Sequence, residues 1–191
     1  MNITLSWDLF IVVFFAIIVA YSFIIGRNGI IKVIFGSYMA AFAADGLGNL
    51  FSEAISASPV FPQFLKLFAI SGPAEAVILS KIIIFILIVV LLAVKGAFDI
   101  RADGDRSFTI RLIITFVYAL LSAGLIVSIV LAFASGVSFV AADTVIDTNF
   151  VEDIYMKSQL VRVVVNNFNI WFFLPAVSFV ISSFVSDEIA E

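Results

Sequence analysis

The sequence predicts an all-α, polytopic transmembrane helical bundle of four to five spans with its amino terminus outside, and three observations predict it. Five long apolar segments lie between Leu9 and Val185. Hydrophobic residues make up 63% of the chain and charged residues 13%, with a mean hydropathy of +1.24. Lysine and arginine gather in two of the connecting loops. A soluble domain of 191 residues has no interior large enough for that much apolar surface. A bilayer is a solvent for it, and requires each spanning backbone to satisfy its own hydrogen bonds as a helix.

The elements follow in order. The first span is expected over 9–26, with Trp7 and Tyr21 as interface anchors. No Lys or Arg precedes Arg27, and Asp8 stands where a signal peptide would be basic, so this reads as a retained helix. Arg27-Asn28-Gly29 makes a tight turn, and a second span over 30–51 completes a helical hairpin. Pro59 and Pro62 break the stretch 52–72, an outer interfacial segment with a short helix at Phe64-Leu65-Lys66-Leu67-Phe68. The third span, 73–98, starts with Gly72 as N-cap, Pro73 at the first helical position and Glu75 in the first turn. At about 39 Å it must tilt or protrude. The hydrophilic stretch 99–106 is the clearest loop, and a fourth span follows over 109–135.

Asp143, Asp147, Glu152 and Asp153 make 137–157 too charged to span, so it reads as an outer interfacial cap. For the last segment, 158–185, two readings stay open. One is a spanning helix, polar at its start and kinked near Pro175; the other is an interfacial helix to Asn169 followed by a short span from Ile170. Residues 1–191 thus form a single transmembrane domain. The bias of basic residues sets its orientation. With the amino terminus outside, Arg27, Lys32, Lys95, Arg101, Arg106 and Arg111 all face the cytoplasm, while Lys66, Lys81, Lys157 and Arg162 fall outside. Five spans leave the tail residues Asp187, Glu188 and Glu191 inside.

Composition excludes several functions. The chain has no His and no Cys, so the usual ligands for zinc, copper, haem and iron–sulfur clusters are missing, as are disulfides and Cys- or His-based catalysis. An all-oxygen calcium or magnesium site stays open in principle, but most of the 14 carboxylates lie in loops, where they serve solubility. A net charge of −4 and the lack of a basic run argue against nucleic acid as a partner. No P-loop, GxGxxG or GxSxG motif is present. No enzyme, cofactor or metal is expected.

Three features stand out inside the spans. Gly36, Ala40, Ala44 and Gly48 form a small-residue ridge on the second span, and Gly124, Ser128, Ala132 and Gly136 another on the fourth. Such ridges allow close backbone approach, the main route to tight helix packing in lipid. They either face each other within one chain or serve a neighbouring protomer. Asp45 is an acid inside the second span, and Lys81 enters the third span at similar depth. The pair reads either as an ion- or proton-handling carboxylate tuned by Lys81, or as an ion pair fixing the two helices together. In a third alternative, Lys81 snorkels outward. Arg162 and Asn166 form a polar patch, read as a buried hydrogen-bonded cluster closing the bundle, a lipid-phosphate site, a helix cap or a partner for Asp147, Glu152 or Asp153. The 22 Phe residues signal packing and lipid-facing surface.

Trp7-Asp8 before an apolar span, then Gly-Arg-Asn-Gly-Ile-Ile-Lys at 26–32, resembles the opening of the colicin V production protein family. The likeness covers the first two spans at motif level and the remainder by hydropathy. It departs at Ser107-Phe108-Thr109-Ile110-Arg111, where the family shows a Gly-rich stretch, and in the long final segment. The resemblance implies a bacterial inner-membrane protein tied to envelope homeostasis and peptide-toxin export, with no catalytic residues to carry over. The expected role is a small non-enzymatic accessory or scaffold subunit of the inner (cytoplasmic) membrane. It would work through helix–helix contacts, surrounded by lipid and paired with itself or another membrane protein. The alternative is an oligomeric channel or ion-coupled transport subunit with Asp45 in the path.

Overall fold

A computed structural model describes residues 7–57, 73–96, 108–140 and 158–187. The regular structure among them is helical: α1 (Trp7–Ala57), α2 (Pro73–Lys95), α3 (Phe108–Ala134), α4 (Gln159–Asn166) and α5 (Phe168–Asp187). The short helix expected at 64–68, the loop at 99–106 and the acidic residues of the 137–157 cap lie outside the described residues, as do Glu188 and Glu191. Three helices are long and apolar enough to cross a membrane, in the stretches Ile11–Glu53, Ala74–Lys95 and Arg111–Ala134. The helices α4 and α5 meet the same test as a pair bent by 57°. By the length and composition of these helices the chain is a membrane protein.

At 51 residues α1 would be about 76 Å long if straight, well over twice a bilayer's hydrocarbon thickness. It is not straight. Gly26 sits at φ 71°, ψ 177°, a region that is all but closed to residues with a side chain, and the chain reverses there. On the first limb, 7–25, the ring of Phe23 lies 6.2 Å from that of Phe116, while Ile11 packs with Val127, so this limb is antiparallel to α3. On the second limb, 27–57, Lys32 reaches the carbonyl of Gly96 at 2.8 Å, whereas Asp45 meets Lys81 and Ser138. That limb is antiparallel to α2 and parallel to α3. The expected hairpin forms, but its turn is Gly26 alone. Arg27, Asn28 and Gly29 are already helical, a correction to the three-residue turn expected there.

The axis of the bundle is α3: 72% of its most apolar stretch is buried, against 22% for that of α2. Around it gather Ile30, Ile31, Ile34, Ala40 and Ala44 of the second limb, and Phe85 of α2. Gly136, at φ 75°, ends the run. Its N–H donates to Phe133 O at 2.9 Å and that of Val137 to Ala132 O at 3.1 Å, the paired bonds of a Schellman cap.

On the other side of α3 and the second limb, α5 runs antiparallel to both. Phe35 meets Phe179 edge-on at 4.7 Å, and the Tyr118 hydroxyl donates to Ser178 O at 3.0 Å. Pro175 lies buried inside α5. Its missing N–H removes the donor for Trp171 O and loosens that turn. Tyr38 donates to the adjacent carbonyl, Phe172 O, at 2.5 Å, the kind of borrowed donor that lets proline sit in a membrane helix. The last segment bends at Asn167 rather than near Pro175. The break thus lies earlier than either reading of 158–185 places it, at Pro175 or at Asn169. Ser158 caps α4 by accepting from Val161 N–H at 3.0 Å. Asp8 accepts from Ser158 Oγ and, at 3.2 Å, from Leu160 N–H, tying the start of the first limb to this helix.

Candidate functional site: a buried carboxylate seat

Asp45 is wholly buried on the second limb, and the Lys81 side chain on α2 is 3% exposed. Lys81 Nζ stands 2.6 Å from Asp45 Oδ1. The other oxygen, Oδ2, accepts three hydrogen bonds: from Ser138 Oγ at 2.7 Å, from Phe139 N–H at 2.6 Å and from Val140 N–H at 2.8 Å. These donors exist because Gly136 turns the chain left-handed after α3 and aims the next backbone amides back at the second limb. Asn49, one turn beyond Asp45, donates to Ser138 Oγ at 3.4 Å and extends the network. Gly48 makes room for the lysine, since a Cβ there would overlap Lys81 Cγ.

Aromatic rings roof the seat. The ring of Phe139 lies 5.4 Å from Phe133, 5.9 Å from Phe172, 6.1 Å from Phe168 and 6.3 Å from Phe42. Moving both charges out of water costs several kcal/mol per ion, and only good geometry with every lone pair met offsets it. Four donors meet this carboxylate, three of them on Oδ2 and Lys81 on Oδ1. The seat holds a charge in place with donors from α2 and from the turn after α3.

Both small-residue ridges are covered within the chain. Gly36 lets Leu92 Cβ come within 3.3 Å of where its own Cβ would be, Ala40 and Ala44 are fully buried, and Gly48 takes Lys81. On α3, Gly124 lies under the ring of Trp171, with Ser128 and Ala132 buried beside it. Gly136 is not part of that ridge, because the helix has ended and its role is the cap. The hydroxyls of Ser122 and Ser128 and the indole N–H of Trp171 are buried without a hydrogen-bond partner among the described residues.

Arg162 and Asn166 are exposed on α4, so they do not form the buried cluster expected of them. Val161, Ser158 and Asp8 seat that helix instead. Sequence reasoning missed Ser138 and the amides of Phe139 and Val140. The signal for them was Gly136 followed by Val-Ser, a helix stop with a hydroxyl two residues on. No three Asp or Glu side chains gather as a metal site among the described residues. Comparison with family models, with curated proteins and with solved structures finds no match for this chain.

Proposed function

We propose that this chain is a small non-enzymatic accessory or scaffold protein of the bacterial inner membrane, crossing the bilayer four to five times with its amino terminus outside. The observation that carries the reading is the Asp45 seat. A carboxylate that takes donors from α2 and from the turn after α3 at once is built to hold both to the second limb. The reversal at Gly26 supports counting α1 as two spans. The likeness of Trp7-Asp8 and residues 26–32 to the opening of the colicin V production proteins fits the role and stands on the sequence alone. With both ridges used internally, contact with a partner falls to faces such as that of α2, where Ile83, Leu87, Val90, Leu91 and Val94 are all more than half exposed. The test is the native mass of the complex in a gentle detergent, with identification of every protein that travels with it. A stoichiometric second membrane protein is expected. A homo-oligomer that conducts ions, and loses conduction on Asp45→Asn, would overturn the scaffold reading in favour of the channel.

A further inference from the structure

An apolar groove of about 200 Å³ runs between the first limb and α2. Its floor is closed by Ser22, Val33, Phe85 and Ile126, all less than 9% exposed, and its rims by Ile17 and Val90, which are 60% and 54% exposed. The one hydroxyl of the floor, Ser22 Oγ, is already turned to Ile18 O at 2.8 Å. Along the first limb the groove extends from Phe14 to Ser22, about 12 Å, close to the depth of one leaflet's hydrocarbon. At the Gly26 end of the bundle Ala93 lines it, three residues before Gly96, whose carbonyl accepts from Lys32 Nζ at 2.8 Å; Lys95 is the neighbouring residue at the end of α2.

The charges at the two ends of the bundle differ in sign. Among the described residues, Arg27, Lys32, Lys95 and Arg111 lie at the Gly26 end with one acid, Asp187, while Asp8, Glu53 and Glu75 lie at the other with one base, Arg162, in addition to the Asp45–Lys81 pair. A groove lined by hydrocarbon cannot stand empty inside a bilayer, because its walls would forfeit their dispersion contacts. An apolar space of about 150 Å³ is enough for a molecule the size of benzene. We propose that this groove is a binding site for one acyl chain of an anionic glycerophospholipid, whose phosphate sits beside Lys32 and Lys95. The site rests on the membrane-bundle reading above, but on neither the accessory role nor the direction of insertion.

The probe is dioleoylphosphatidylglycerol against dioleoylphosphatidylcholine, which share tails and differ in charge, added to the purified full chain in detergent and counted by native mass spectrometry. The anionic lipid should be retained about tenfold more tightly, close to 1.4 kcal/mol. Lys32→Gln with Lys95→Gln should remove most of that preference, while the glutamine at 32 keeps a donor for Gly96 O. Ala93→Phe, which fills the groove, should lower retention of both lipids several-fold. Val90→Phe on the rim should act in the same direction without touching the packed core, and covers the case in which Ala93→Phe fails to fold. Val94→Phe, 67% exposed, should bind as wild type. Equal retention of the two lipids by the wild type, or unchanged retention in Ala93→Phe and Val90→Phe, would overturn the proposal. So would a dimer that these variants separate, since a second copy would then be the occupant. Recovery of the chain from the soluble fraction would instead defeat the membrane reading beneath it.

Discussion

Asp45 is tolerated in an apolar helix only while Lys81, Ser138 and two backbone amides hold their places, so removing one charge strands the other. Asp45→Asn alone and Lys81→Met alone should each lower stability by about 3–5 kcal/mol, read from reversible unfolding in mixed micelles. The double variant should lose clearly less than the sum of the two, because neither charge is left bare. Additive losses would show that the pair is not coupled. The pairing itself was legible, since an ionisable residue inside an apolar span needs a partner and Lys81 lies at matching depth. The other half of the seat was not. Backbone amides carry no mark in a sequence, and Gly136, which aims them, also fits the four-residue spacing of Gly124, Ser128 and Ala132. Two physical roles competed for one glycine, and the end of α3 decided between them.

Among the elements, glycines divide by what surrounds them. A Cβ at Gly124 would run into the rigid ring of Trp171, whereas one at Gly46 meets nothing within 4 Å. Gly124→Ala should therefore destabilise by about 1–3 kcal/mol through overpacking. Gly46→Ala should stabilise by about 0.5–1 kcal/mol, the usual gain on replacing glycine in a helix interior. Thermal unfolding of the two variants in one detergent checks both signs, and a loss at Gly46 would mean that a second molecule covers that face. Helices α2 and α3 were legible to within a few residues, because long apolar runs with a proline start and a glycine stop leave little freedom. The break at Asn167 was harder. Pro175 is the stronger helix breaker on paper, but Tyr38 and Tyr118 bond to carbonyls on either side of it and keep α5 intact.

For the whole molecule, the proposed orientation rests on the excess of basic residues at the Gly26 end. The chain contains no cysteine, so single introduced thiols report without background. In the proposed orientation, Glu53→Cys should react with an impermeant maleimide added outside intact cells. Lys95→Cys should react only after permeabilisation. The reverse pattern would invert the topology, and labelling of both from one side would contradict the antiparallel run of α2 against the second limb. That excess of basic residues was already legible in the loops.

The partners of Asp45 arrive late. Lys81 lies 36 residues further on, and Ser138 lies 93. At the usual pace of synthesis, about 5–20 residues per second, the last donors emerge roughly 5–19 s after the carboxylate does. The second limb is thus born with a charge that nothing yet neutralises, and lipid repels it until α2 is alongside. The seat closes for good only when the turn behind α3 leaves the ribosome, so a pause in translation between these points leaves a half-built bundle exposed to quality control.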